Sequence, residues 1–134
     1  MMKIERASIS TDGVAQPNPG QAGIGATIKN EQGELVASIS EPIGYATNNQ
    51  AEYRAIIAAL ETVIRLGVSR ADIRSDSELV VRQINGRYRV KNAALKPLYQ
   101  KVKQLQSRLK DFSITHVPRE QNKEADKLAG KALR

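Results

Sequence analysis

One stretch limits the fold more than any other: the amphipathic run from Thr47 to Gly67, set between strand-like segments. Ala51, Ala55, Ile56, Ala59, Leu60, Val63 and Ile64 recur through it at the spacing of one helical face. Thr47 or Asn48 is placed to cap its start, and Gly67 ends it. Before it lie three strand-like segments, residues 3–11, 23–29 and 34–40, separated by Pro17-Asn18-Pro19-Gly20 and Asn30-Glu31-Gln32-Gly33. Turns that short fold the chain back antiparallel to itself. After the helix comes Ala71-Asp72-Ile73-Arg74-Ser75, and a strand reached through a long helix runs parallel to one already laid down. The result is a mixed sheet in an α/β chain.

The remaining elements follow the same logic. Residues 77–84 read as a helix with Leu79, Val80 and Ile84 apolar. Leu95, Leu98, Tyr99, Val102, Leu105 and Leu109 trace a further helical stripe, with Pro97 in its first turn, where a missing N–H is harmless. Residues 112–117 form a fifth strand closed by Pro118, and a last helix runs from Glu120 to the end. With no repeat or linker, residues 1–134 are expected to be one domain. Gly20, Gly23 and Gly25 do not make a dinucleotide loop, because their spacing differs and a strand follows them.

The absence of cysteine excludes disulfides and thiolate chemistry. The start, Met1 to Arg6, has no apolar run after its charges, and no stretch reaches the length of a membrane span. These features predict a cytoplasmic, monomeric protein that does not engage membrane. Net charge is +7, and nine Lys or Arg fall between Arg82 and Lys110 with no Asp or Glu among them. Solvated helix faces ordinarily mix both signs, so this run points to a polyanion, nucleic acid first.

Asp12 closes the first strand-like segment and is followed by Gly13. Asp76 stands just past the strand at 71–75, Glu52 in the first turn of the long helix, and Asp126 in the second turn of the last one. Ligands of open α/β sheets gather at that edge, and carboxylates crowd together only around positive charge, ordinarily a divalent metal. Glu61, nine residues after Glu52, falls on the opposite helix face, and Glu124 points away from the side that holds Asp126.

Taken in order, Ser10-Thr11-Asp12-Gly13 with Asn18-Pro19-Gly20, Thr47-Asn48-Asn49-Gln50-Ala51-Glu52, Ser75-Asp76-Ser77, and His116-Val117-Pro118-Arg119-Glu120 through Asn122 to Ala125-Asp126 resemble the ribonuclease HI family. The likeness covers nearly the whole chain. It implies the ribonuclease H-like fold, a five-stranded mixed sheet with three antiparallel and two parallel strands flanked by helices. It also implies hydrolysis of the RNA strand of RNA–DNA hybrids, leaving 5′-phosphate and 3′-hydroxyl ends. The compact type of the family, without hybrid-binding domain or basic protrusion, is the better match.

The resemblance makes Asp12, Glu52, Asp76 and Asp126 ligands of two magnesium ions, with manganese as the alternative. Two such ions activate a water and neutralise the departing oxygen. His116 or Arg119 would assist turnover, and the residues leave both open. Asn18, Asn48, Asn49 and Gln50 are uncharged donor–acceptors suited to the 2′-hydroxyls that distinguish RNA. Arg82, Arg87, Arg89 and Lys91 would lie along the DNA strand's phosphates. The rival readings are another nuclease of the ribonuclease H-like group and a module that binds hybrid without cutting it.

Overall fold

The computed structural model describes residues 4–134. Its sheet has the order β3-β2-β1-β4-β5. Strands β1 (Arg6–Gln16), β2 (Gly20–Lys29) and β3 (Leu35–Ala46) pair antiparallel, whereas β4 (Arg70–Ser75) and β5 (Asp111–His116) continue the sheet in parallel from β1. Helix α1 (Asn48–Arg65) supplies the crossover from β3 to β4. Helices α2 (Glu78–Ile84) and α3 (Lys96–Gln106) precede β5, and α4 (Lys123–Lys131) ends the ordered elements. The mixed five-stranded sheet expected from the sequence is the one observed.

The strands sort their side chains by face. Ala7 and Ile9 of β1, Ile24, Ala26 and Ile28 of β2, and Ile73 of β4 join Tyr53, Ile56, Leu60 and Val63 of α1 and Val102 and Leu105 of α3 in the main core. Burial of these side chains is the chief stabilising contribution. The opposite face receives α4 at Gly23 and Gly25, where a Cβ would lie 2.6 and 2.4 Å from backbone oxygens of Ala129 and Ala125. Asp12 pairs across the ladder with Gly25 and therefore shares that second face.

Several element ends differ from expectation, among them the start of β2, which begins at Gly20 and not at Gly23. β1 begins at Arg6 (Lys3 of the expected segment lies outside the described residues) and runs past Asp12, because Gly13 to Gln16 pair with Gln21 to Ile24. Asp12 is thus inside a strand, not at its last residue. It still stands at an edge, since the parallel pairing with β4 stops at Thr11 opposite Ser75. β3 extends through Pro42 to Ala46, which an outer strand tolerates because one side needs no donor. The last helix starts three residues later than expected, after a 3-10 turn at Arg119–Gln121, so Asp126 lies in its first turn, not its second.

Gly13 is not a turn residue. It sits opposite Ile24 in the ladder, and a Cβ on it would lie 2.2 Å from the carbonyl carbon of Ala51 and 2.4 Å from the nitrogen of Glu52. The glycine admits the first turn of α1 onto the strand. Gly33, by contrast, is glycine for its backbone: φ is 79° and nothing lies within 4 Å of a Cβ there. Gly13→Ala is expected to destabilise the protein by about 3 kcal/mol through overpacking against backbone, and Gly33→Ala by about 1 kcal/mol through the left-handed conformation alone. Urea unfolding of both variants checks the order; equal losses would mean that the helix does not depend on the gap.

Candidate active site

Four elements deliver one carboxylate each. β1 brings Asp12, the end of β4 brings Asp76, α1 brings Glu52 just past its first turn and not within it as expected, and the first turn of α4 brings Asp126. Thr47 caps α1, with its hydroxyl accepting from Gln50 N at 3.1 Å while Gln50 Oε1 accepts from Thr47 N at 2.8 Å. This reciprocal box fixes where the helix begins and hence where Glu52 points. The Gly13 N–H then donates to Glu52 Oε1. Carboxylate oxygens of Asp12, Glu52 and Asp76 come within 4.8 Å of one another. Asp126 is near enough to act on Asp12 and lines the same cleft of about 340 Å³.

Asp12 and Glu52 are each only 6% exposed. Burial, followed by the charge of Asp76, raises the Asp12 carboxyl from its ordinary value to about 7. Burial and then Asp12 itself push Glu52 well up, against the opposing pull of the Gly13 N–H. Burial and like charge both disfavour the ionised form, so the cluster is poor in compensating positive charge. Its donors are all hard carboxylate oxygens, the set that suits magnesium or manganese and not a thiolate-seeking metal. The residues fit a divalent cation site.

The remaining predicted residues divide in two. Asn48, Asn49 and Arg119 line the acidic cleft, together with Gly13, Val14 and Ser77. Arg119 Nη2 lies 3.4 Å from Asp126 Oδ1. His116 is exposed at the end of β5, opposite Ser75, and is not among the residues lining the cleft. Asn18 and Gln50 border an adjoining polar cleft of about 450 Å³, which Asn48 and Asn49 share. Several amides there are already oriented. Asn48 Oδ1 accepts from Ala15 N at 2.7 Å, and Asn18 Oδ1 accepts from Asn48 N at 2.9 Å. With the Gln50 oxygen in the capping box, all three have their side-chain oxygens engaged.

Arg87 and Arg89 line a separate cleft of about 630 Å³ with Tyr88, Lys96 and Tyr99. Arg82 lies beside it, its guanidinium 5.3 Å from the Tyr88 ring and its Nε 3.5 Å from Glu78. Lys91 is exposed just beyond. Not every cation of the run is free for a ligand: Lys103 Nζ donates to the Ile84 carbonyl at 2.6 Å and holds the end of α2. Of the acids set aside from the sequence, Glu124 pairs with Lys29 at 3.1 Å. Sequence reasoning missed Asn92, which borders the polar cleft. Its Oδ1 takes the Ala94 and Leu95 N–H groups, and that helix-start pattern carries no sign of an approach to Gln50. Among the described residues no helix is long and apolar enough to cross a membrane.

Residues 10–132 match the reverse transcriptase-like family, and the chain belongs to it. Within that family it is of the ribonuclease HI kind. Over 122 residues it is 42% identical to ribonuclease HI of Halobacterium salinarum, an alignment that takes in 91% of this chain and 61% of that protein. The crystal structure of RNase H1 from the same archaeon superposes with a TM-score of 0.93 at 41% identity, covering 96% of this chain and 97% of that one. LC11-RNase H1, crystallised in complex with RNA/DNA hybrid, superposes with a TM-score of 0.89 at 41% identity over 94% of this chain and 95% of that one. The chain therefore spans about three-fifths of the length of the Halobacterium protein.

The raised Asp12 carboxyl has a defined sign in stability. The native state holds a proton that the unfolded chain releases, so this group's contribution is full below the ordinary carboxylate value of 3.8 and is lost as pH rises through about 7. Metal-free protein should accordingly lose stability between about pH 4 and 7. Asp12→Asn should remove on the order of 2 kcal/mol of that loss at pH 8 and almost none at pH 4. Thermal melts in chelator across that range test it; parallel profiles for the two proteins would exclude a perturbed Asp12.

Proposed function

We propose that this chain hydrolyses the RNA strand of RNA–DNA hybrids, leaving 5′-phosphate and 3′-hydroxyl ends. The observation that carries the reading is the approach of Asp12, Glu52 and Asp76 to within 4.8 Å of one another, in a cleft bordered by side-chain amides. A module that only held hybrid would gain nothing from a buried acid cluster, which repels phosphate. Ribonuclease HI relatives and the hybrid-bound LC11-RNase H1 support the same conclusion.

Asp12, Glu52, Asp76 and Asp126 would hold a pair of magnesium ions, or manganese in their place. When bound, such ions activate the attacking water and neutralise charge on the departing 3′ oxygen. Asp12 interacts with each of the other three acids, so it would be the ligand central to the site, with Glu52, Asp76 and Asp126 completing the set of carboxylates that hold the ions. Asn18, Asn48 and Gln50 offer N–H donors with their oxygens already engaged, so the 2′-hydroxyl acts as acceptor toward them. The Asn49 side chain makes no hydrogen bond among the described residues and is left to do both. Arg119, in the cleft beside Asp126, is the better placed of the two turnover candidates to meet a departing phosphate. Arg87, Arg89, Lys91 and Lys96 hold the DNA strand's backbone, and Arg82 orders Tyr88 beneath its own guanidinium.

The test is end-labelled RNA presented in hybrid, as duplex RNA and as single strand, with and without divalent metal. Cleavage is expected in hybrid with metal, and chelator abolishes it. Asp12→Asn should lower kcat by roughly a thousand-fold or more while hybrid binding is kept or tightened. Parent-like cutting by that variant would refute the acid-cluster mechanism. Replacing Arg87, Arg89 and Lys91 together by Gln should flatten the dependence of log affinity on log salt by about 2–3; an unchanged slope would remove these residues from the interface.

A further inference from the structure

We propose that Asn122 is a positioning residue that sets Asp126 against Asp12 and so governs how tightly the acid cluster holds divalent cations. The proposal rests on the reading of the four acids as cation ligands. Asn122 stands immediately before α4 and is 1% exposed. An asparagine in that place ordinarily turns its side-chain oxygen back to take a free N–H of the helix's first turn. Here no such bond forms. Its Nδ2 instead donates to the Thr11 carbonyl at 2.9 Å, and its own carbonyl accepts from Asp126 N at 3.1 Å.

Two hydrogen bonds thus run from the residue before Asp12, through Asn122, to the backbone of Asp126. The geometry has a visible penalty: Asn122 Oδ1 is the one buried side-chain polar atom without a partner among the described residues. A buried acceptor left unpaired opposes folding, so the donor on the same amide must do something that a smaller or apolar residue would not.

The need for it follows from how α4 is seated. Its close contact with β2 is at Gly23 and Gly25, where neither strand residue has a side chain to fix the helix along its axis. The other polar ties from α4 to the sheet go to β3 and β2. Ser40 Oγ of β3 donates to the Leu128 carbonyl at 2.7 Å, and Lys29 of β2 pairs with Glu124 at 3.1 Å. Among the described residues, only Asn122 links the helix by hydrogen bond to β1, the strand that carries Asp12. Glu52 has its own anchor in the Gly13 N–H, and Asp76 follows directly from β4. Asp126, unlike Glu52, has no β1 N–H on its carboxylate among the described residues, so its distance from the others depends on how α4 is seated.

Asn122→Ala and the isosteric Asn122→Asp, which keeps the volume but removes the donor, test the assignment beside Asn85→Ala. Asn85 makes the same kind of bond, Nδ2 to the Ile114 carbonyl at 3.1 Å, away from the acids. Thermal shift is followed during titration of purified protein with magnesium or manganese chloride, and hybrid cleavage is read as kcat and KM. In both Asn122 variants the metal concentration for half-maximal shift should rise roughly ten-fold. Their kcat should fall about ten-fold with KM within about two-fold, since the defect lies in placement of the acid and not in substrate grip. Asn85→Ala should lose thermal stability with metal response and kcat unchanged. Where Asn122→Ala does not fold, the Asp variant decides. Parent-like metal midpoints in a folded Asn122 variant, or an equal displacement by Asn85→Ala, would reduce Asn122 to a structural tie. A parent protein that shows no metal-dependent shift at all would instead overturn the cation-site reading beneath it.

Discussion

The contact on which the rest depends is the one between the first turn of α1 and strand β1 at Gly13. No side chain can stand there, so the helix backbone comes down onto the strand and Glu52 is delivered beside Asp12 with the Gly13 N–H on its carboxylate. That single N–H offsets part of the desolvation of Glu52, yet burial still wins and the carboxyl stays raised. The site is therefore electrostatically unfinished in the protein alone. Its geometry is held by backbone packing, which does not relax when the acids repel one another. A divalent cation meets a formed set of oxygens and need not assemble one.

Three consecutive residues of β1 hold separate parts of the arrangement together. Thr11 offers its carbonyl to Asn122 and so to α4. Asp12 is the central acid. Gly13 seats α1. The two helices rest on opposite faces of the sheet, and the rung joining Asp12 to Gly25 places the bed of α4 directly across from the acid. Because β4 stops pairing opposite Thr11, Asp12 looks out over the open end of the parallel half of the sheet while its own strand continues in the antiparallel half. A rigid acid at the boundary of two pairing patterns is available to ligands without being at the end of anything.

Much of this was legible in the sequence. The helix at 47–67 announced itself by periodicity, and its position between strands required the crossover that brings β4 beside β1. The four acids were singled out because each was expected near an element end, where side chains of different segments meet; Glu52, Asp76 and Asp126 lie there, whereas Asp12 lies inside β1. What escaped was whatever depends on a partner far along the chain. Gly13 reads locally as a turn, and only the presence of Ala51 behind it makes it a seat. Residues 13–16 read as the approach to a proline turn, yet pairing with Gln21 to Ile24 keeps them extended. Pro42 reads as a strand's end, and being on the sheet's margin makes it harmless. The orientation of the Asn18, Asn48 and Gln50 amides and the inward turn of Lys103 belong to the same class. Residue type gave the chemistry, but the partner decided which end of the side chain was left to use.

The separation of charge on the surface explains how an acid-centred site works on a polyanion. A cluster of carboxylates repels phosphate, so the substrate must be gripped elsewhere before it can be presented to the acids. In the proposed function the cleft of Arg87, Arg89 and Lys96, on a different part of the surface from the acidic one, would supply that grip, and a duplex has two strands to offer. At physiological salt, exposed charges cease to feel one another beyond about 8 Å, so attraction for one strand's phosphates and repulsion of the other's act almost independently. On the proposed function, holding and cutting are distinct: cations of the chain would hold the DNA strand, whereas the RNA phosphate would settle on the acids only when divalent charge has reversed the sign of the cleft. The amides between the two clefts are uncharged for the same reason, since a fixed charge there would disturb both fields and could not tell a ribose from a deoxyribose.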